Sequence, residues 1–218
     1  MALVGGRCFL EYIFNALRRA EFHEAILCVG YKASAIQDWL GDGRHWGLQV
    51  RYSVEDKLLG TAGALKLAAD MVESESCFVL NGDSFLDVDF RGLFRFHVQN
   101  HARATIALAQ ASDAARYGSV TVDLLGRVTS FSEKGKSLEG APLVSDGLKT
   151  INGGVYVLER EVLEEMPPAK RLSLECDVFP SLVGEGLYGY STSGYFVDIG
   201  TAEDFTRAQT ELPTKFPT

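Results

Sequence analysis

Short apolar runs that stop on a glycine or an acidic turn, set between stretches of helical period, constrain this chain more than any other feature. Ala25-Ile26-Leu27-Cys28-Val29-Gly30 and Cys77-Phe78-Val79-Leu80-Asn81-Gly82-Asp83 are both of this kind. An unbroken apolar run of this length suits a strand buried on both faces. Phe9-Leu10, Ile13-Phe14 and Leu17 recur at helical spacing and predict an amphipathic helix over 8–20. Helices are also predicted for Ala35–Leu40, Ala62–Val72 and Arg91–Asn100, and Leu48–Tyr52 alternates like a strand. This β-α-β-α order predicts an α/β protein with a parallel sheet covered by helices.

The pattern changes after residue 103. Ala104–Ala109, Ser119–Asp123, Val128–Ser132 and Val155–Leu158 read as strands separated by turns. Glu175–Val183 reads as a helix, and Tyr188–Val197 as a hairpin around Thr192-Ser193-Gly194. The expected fold is therefore a Rossmann-like mixed, mostly parallel sheet flanked by helices, with a smaller antiparallel part. One domain is expected over 1–218, with a first half of about 1–103 and a second of about 104–218.

Composition narrows the function. The net charge of −8 opposes general nucleic-acid binding, which depends on Lys and Arg neutralising phosphates. A local basic site for a small anion remains compatible with it. No apolar run reaches the roughly 18–20 residues that cross a bilayer, and the N-terminus lacks the pattern of a secretory signal. A cytoplasmic protein with no membrane partner is expected. The four cysteines, Cys8, Cys28, Cys77 and Cys176, form no C-x-x-C pair and read as scattered, mostly buried thiols in a reducing compartment.

Four motifs carry chemistry. Asn81-Gly82-Asp83 follows an apolar strand, and ligands of open parallel sheets sit beyond strand carboxyl ends. An Asp there can hold Mg²⁺ shared with phosphates. A plain turn fits these residues equally well. Asp198, in Val197-Asp198-Ile199-Gly200-Thr201, occupies a similar position, with Thr201 the more natural cap of the following helix. Two such carboxylates can converge on one metal. Leu59-Gly60-Thr61-Ala62-Gly63 opens a helix, where glycine allows close approach and the amides favour anions. Glu133-Lys134 can bond sugar hydroxyls and a phosphate; a solvated charged pair fits them better when they are taken alone.

Other signals fail. Gly135-Lys136-Ser137 resembles the end of a P-loop, but Ser130 stands where that motif needs glycine. No G-x-G-x-x-G follows a strand. His97 and His101 are four apart on a predicted helix and read as a surface pair, since Val98 follows His97 where a zinc protease has Glu.

Taken together and in order, Leu59-Gly60-Thr61-Ala62-Gly63, Asn81-Gly82-Asp83, Arg116-Tyr117-Gly118, Phe131-Ser132-Glu133-Lys134, Asn152-Gly153-Gly154-Val155-Tyr156 and Val197-Asp198-Ile199-Gly200-Thr201 resemble the sugar-phosphate nucleotidyltransferase family. Nearly the whole chain is covered. The resemblance implies an enzyme that transfers a nucleoside monophosphate from a nucleoside triphosphate to a sugar 1-phosphate and releases pyrophosphate. It implies Asp83, Lys134 and Asp198 as catalytic residues, with Asp83 and Asp198 on Mg²⁺. Leu59, Gly60, Thr61, Asn81 and Gly82 are implied on the nucleotide side. Gly118, Glu133, Lys134, Asn152, Gly153 and Glu175 are implied on the sugar side.

Length and the closing motif most resemble the heptose 1-phosphate guanylyltransferases, with mannose-1-phosphate guanylyltransferases and glucose-1-phosphate thymidylyltransferases as alternatives. A homo-oligomer is compatible. Family members carry an N-terminal strand, a Gly-Gly-x-Gly-Thr-Arg loop and a Lys-Pro ahead of the position matching Met1. These fall outside this sequence, so little transferase activity is expected of the 218 residues. A non-catalytic binding or regulatory relative is the other reading.

Overall fold

The computed structural model describes residues 1–111, 118–132 and 149–217. They fall into two compact units. The first comprises Met1–Leu58, Asn81–Phe85 and Val197–Thr218; the second comprises Leu59–Leu80 and Leu86–Phe196.

The first unit opens with a small antiparallel pair, β1 (Leu3–Val4) and β2 (Arg7–Cys8). Helix α1 (Phe9–Arg19) follows, with Phe9, Tyr12, Ile13, Phe14 and Leu17 on its buried face. Arg18 and Arg19 in its last turn oppose the negative end of the helix dipole. Strands β3 (Glu24–Val29) and β4 (Gln49–Val54) are parallel, joined through α2 (Ala33–Leu40). The terminal helix α7 (Ala202–Lys215) is capped by Thr201, whose hydroxyl accepts the Asp204 N–H. Gln209 ties α7 to the first hairpin, donating to the Leu3 carbonyl and accepting from the Gly5 N–H.

The second unit is built on a six-stranded mixed sheet. Its centre is β10 (Lys149–Glu159), which pairs antiparallel with β5 (Ser76–Leu80), β7 (Ala104–Ala111) and β8 (Ser119–Val122). Strand β9 (Val128–Ser132) extends β8 antiparallel, and β11 (Leu187–Ser191) runs parallel to β7. Ala104–Ala109 of β7 is buried on both sides, Thr105 included.

One face of this sheet, through Ile106, Leu108, Tyr156 and Leu158, shares a core with α3 (Gly60–Ala68), α5 (Arg160–Glu165) and α6 (Phe179–Leu182). The rings of Tyr156 and Phe179 lie 5.0 Å apart, and a tilted pair like this contributes about 0.5–1.5 kcal/mol beyond burial. The other face receives α4 (Phe90–Gln99). There His97, 1% exposed, bonds Thr105 Oγ1 through Nδ1 and Glu159 Oε1 through Nε2, each at 2.8 Å.

The α/β class, the mixed sheet and the flanking helices are as the sequence predicts. Five local expectations change. Strands β3 and β5 are only partly buried, because among the described residues β3 pairs only with β4 and β5 only with β10. Of the four cysteines only Cys8 is buried, while Cys28 and Cys176 are exposed. Parallel pairing among the described residues is confined to β3–β4 and β7–β11, because β10 reaches all its neighbours in the antiparallel sense. His97 is not a surface residue, because Thr105 and Glu159 satisfy both ring nitrogens inside the fold. Tyr188–Val197 is not a hairpin: β11 is held by β7, whereas β12 (Phe196–Asp198) pairs with β6 (Ser84–Leu86).

Candidate active site

The sequence-predicted site residues gather in two clusters, one in each unit. In the first unit, Asp83 precedes β6 and Asp198 ends β12. The Ile199 N–H donates to the Asp83 carbonyl at 2.9 Å, which brings the two strand ends together. The Gly200 N–H donates to Asp198 Oδ1 at 2.7 Å. A Cβ placed on Gly200 would lie 2.8 Å from Asp198 Oδ1 and 4.0 Å from Asp83 Oδ2. Both carboxylates therefore lie beside one glycine. Asp198 is buried, at 6% exposed, while Asp83 faces solvent. Asn81 is half-buried and Gly82 exposed at the head of the same turn.

A buried carboxylate and an exposed one, both hard oxygen donors, fit Mg²⁺, which takes one or two carboxylates and completes its octahedron with waters and phosphate oxygens. No group of three or more His, Cys, Asp or Glu able to hold a metal occurs among the described residues. The pair thus suits an ion that shares its coordination with a substrate, rather than a closed structural site.

The second cluster joins the start of α3 to the segment 172–175. Leu59 is buried, Gly60 half-buried and Thr61 exposed. Gly60 has φ +75°, and a Cβ there would collide with the Leu172 carbonyl oxygen and lie 3.1 Å from its carbon. The Ala62 and Gly63 N–H groups donate to that same carbonyl at 3.0 and 3.3 Å, and the Leu172 N–H donates to the Leu59 carbonyl at 2.8 Å. The first amides of α3 are therefore already bonded within the protein, which leaves fewer of them for an anion than the sequence suggests.

Thr61 donates its hydroxyl to Glu175 Oε2 at 2.9 Å and accepts the Leu174 N–H at 2.8 Å. Ser173 donates to the same Glu175 oxygen at 2.8 Å and accepts the Glu175 and Cys176 N–H groups, capping the tight turn Leu174–Val178. Tyr156 OH points to Glu175 Oε1 at 3.4 Å, and Asn152 Nδ2 donates to Tyr156 OH at 3.0 Å. Asn152 also accepts the Gly154 N–H, and its own N–H donates to the Gly118 carbonyl at 3.3 Å. Gly153 packs so closely that a Cβ would lie 2.6 Å from Leu86 Cδ2 and 2.7 Å from the Ala107 carbonyl.

The structure thus brings Thr61, Glu175, Asn152 and Gly118 into one hydrogen-bonded chain. Glu133 and Lys134, with Arg116 and Tyr117, lie outside the described residues. Tyr156 and Ser173 are site residues that the motif reading missed. Strand alternation places Tyr156 on the same face as Asn152, four residues away, and that was the available signal. Ser173 had only its position two residues before Glu175.

The family described as "Nucleotidyl transferase" matches residues 1–215. The chain is 35% identical over 213 residues to the D-glycero-alpha-D-manno-heptose 1-phosphate guanylyltransferase of Aneurinibacillus thermoaerophilus, covering 97% of this chain and 88% of that protein. It is 34% identical over 215 residues to the mannose-1-phosphate guanylyltransferase of Mycobacterium tuberculosis, covering 97% of this chain but only 58% of that longer protein. Among solved structures, HddC from Yersinia pseudotuberculosis superposes with a TM-score of 0.83 at 30% identity, over 96% of this chain and 87% of that one. A second structure of HddC, complexed with GMP-PN, superposes at 0.81 with 29% identity over the same shares.

Proposed function

This chain belongs to the nucleotidyl transferase family, and from that premise we propose that it transfers GMP from GTP to a heptose or hexose 1-phosphate. A phosphate oxygen of the sugar 1-phosphate forms a bond to the α-phosphorus. The bond from that phosphorus to the β-bridging oxygen breaks, and pyrophosphate leaves with the electron pair. The products are an NDP-sugar and pyrophosphate. Such a displacement needs positioning and charge compensation rather than a protein nucleophile.

The observation that carries the reading is the convergence of Asp83 and Asp198 over Gly200. These two side chains would hold Mg²⁺. When bound, the ion supplies positive charge to the phosphate oxygens as the transition state develops. The exposed Asp83 faces the incoming triphosphate, and the buried Asp198, braced by the Gly200 N–H, keeps its carboxylate oriented.

Leu59 and Gly60 lie on the base side, with Asn81 and Gly82 beside the metal carboxylates. Glu175, Asn152, Gly118 and Gly153 receive the sugar, Glu133 adds a hydroxyl contact, and Lys134 neutralises the sugar phosphate. Guanine is favoured because both guanylyltransferase relatives are about one-third identical to this chain and because HddC has been crystallised with GMP-PN. Heptose is favoured over mannose by the 88% coverage of the Aneurinibacillus enzyme.

The test is ³¹P NMR of the protein with Mg²⁺, GTP and either D-glycero-α-D-manno-heptose 1-phosphate or mannose 1-phosphate. Saturable binding of both substrates is the expected result, and appearance of the diphosphate-sugar and pyrophosphate identifies the transferase. Binding without product identifies the non-catalytic relative. No binding of any sugar 1-phosphate overturns the proposal.

A further inference from the structure

Two segments far apart in sequence, 59–63 and 172–175, are knitted by four backbone-donated hydrogen bonds and one side-chain bond. The Ala62 and Gly63 amides bond the Leu172 carbonyl, the Leu172 amide bonds the Leu59 carbonyl, and the Leu174 amide bonds Thr61 Oγ1. The side-chain bond is Thr61 to Glu175. A base that displaces Leu59–Thr61 must therefore move Glu175 as well.

The hydroxyl of Thr61 is also fully committed. A hydroxyl has one donor, and here it is spent on Glu175 Oε2, while an acceptor site is taken by the Leu174 N–H. Little remains for a direct bond to a nucleotide. Glu175, by contrast, keeps capacity. Its Oε2 accepts two hydroxyls at 2.8 and 2.9 Å, but among the described residues Oε1 has only Tyr156 OH at 3.4 Å, longer than the usual hydroxyl–oxygen bond. A half-buried carboxylate whose Oε1 is only weakly engaged repels a phosphate and accepts from neutral hydroxyls.

On the functional reading above, we propose that Thr61 is a positioning residue for the sugar. It orients Glu175 toward the sugar hydroxyls and couples occupancy of the base-side loop to sugar affinity. Nucleotide docking on Leu59–Thr61 firms the Glu175 carboxylate, and by linkage a bound sugar 1-phosphate tightens nucleotide binding by the same factor.

The test compares the wild type with Thr61→Val, which keeps the shape and loses the hydroxyl, and with Thr61→Ser, which keeps the hydroxyl. Dissociation constants for mannose 1-phosphate and heptose 1-phosphate are measured by calorimetry, with and without GMP-PNP and Mg²⁺. Amide exchange at Leu174 is followed without ligand. In the wild type, nucleotide is expected to tighten sugar-phosphate binding severalfold. Thr61→Val is expected to weaken sugar-phosphate binding about tenfold and to abolish the coupling. It should also speed exchange at Leu174, whose amide loses its acceptor on Thr61. Thr61→Ser is expected to restore all three. If Thr61→Val does not fold, Thr61→Ala replaces it with the same expectations. A wild type that binds sugar phosphate beside a variant that binds it equally well, or that loses both ligands equally, overturns the coupling role alone. A wild type that binds no sugar 1-phosphate overturns the functional reading as well.

Discussion

The backbone N–H of Ile199 donates to the carbonyl oxygen of Asp83 at 2.9 Å. That bond joins the ends of two short strands and sets the Asp83 and Asp198 carboxylates over Gly200. Asp83→Asn and Asp198→Asn keep this backbone bond and remove one negative charge each. Either change is expected to weaken Mn²⁺ binding, used as a paramagnetic stand-in for Mg²⁺ and read by EPR. Either is expected to lower transfer by about 10²–10³-fold, the scale of losing one charge-stabilising group. Wild-type Mn²⁺ affinity in both variants would remove the pair from the metal site.

Gly60 and Gly6 separate backbone strain from collision. Both have positive φ, +75° and +80°, but a Cβ on Gly60 meets the Leu172 carbonyl, whereas on Gly6 it meets nothing within 4 Å. Gly6→Ala is expected to cost about 1 kcal/mol from conformation alone. Gly60→Ala is expected to cost roughly 3 kcal/mol and to loosen sugar-phosphate binding, since Leu172 adjoins the Glu175 turn. Urea midpoints for the two variants check the difference, and equal losses would contradict it.

His97 bridges α4, β7 and β10 through Thr105 and Glu159, and Ser76 of β5 donates to the same Glu159 oxygen at 2.7 Å. Thr105→Val leaves His97 Nδ1 buried without its partner. The expected loss is about 1–3 kcal/mol, read by thermal or urea unfolding, with ligand binding at the distant Glu175 unchanged at temperatures where the variant is folded. A variant as stable as the wild type would show that the bridge is dispensable.

Alkaline pH is expected to weaken the first unit. Cys8, Tyr12, Cys28 and Tyr52 all lie in it, and desolvation by the surrounding protein is the main cause raising each of their pKa values. Cys28 is pushed furthest, to about 11, with the Glu55 charge adding to desolvation, but the residue is exposed and solvent screening reduces its share of the stability effect. The unfolded chain releases this proton near pH 9 while the folded protein still holds it. Stability is therefore intact below about pH 9 and falls as the pH rises toward 11. Urea midpoints between pH 8 and pH 11 should decline in the wild type and less steeply in Cys28→Ser. Parallel curves would assign the decline to the other three groups.

Much of this was legible in the sequence because it is local. The apolar period of Phe9, Ile13 and Leu17 places α1 within a residue or so of its observed ends. Ala104–Ala109 reads as a strand and is one, although its burial on both faces was set by the helices packed against it. Asp83 and Asp198 stand out because each closes an apolar strand. His97 was misread because Thr105 and Glu159, which draw it inside, lie on other strands. The 188–197 segment was misread because a plausible turn says nothing about which strand offers β11 its hydrogen bonds.

By itself, the sequence determined the α/β class, most of the elements and the position of Asp83 and Asp198 at strand ends, since these depend on residue type and short-range period. Tertiary structure alone decided that the two carboxylates lie beside Gly200, that the amides of Ala62 and Gly63 are spent on Leu172, and that Thr61 reaches Glu175. Those facts depend on partners distant in the chain, and no local propensity encodes a hydrogen bond whose other half is set by how strands and helices pack.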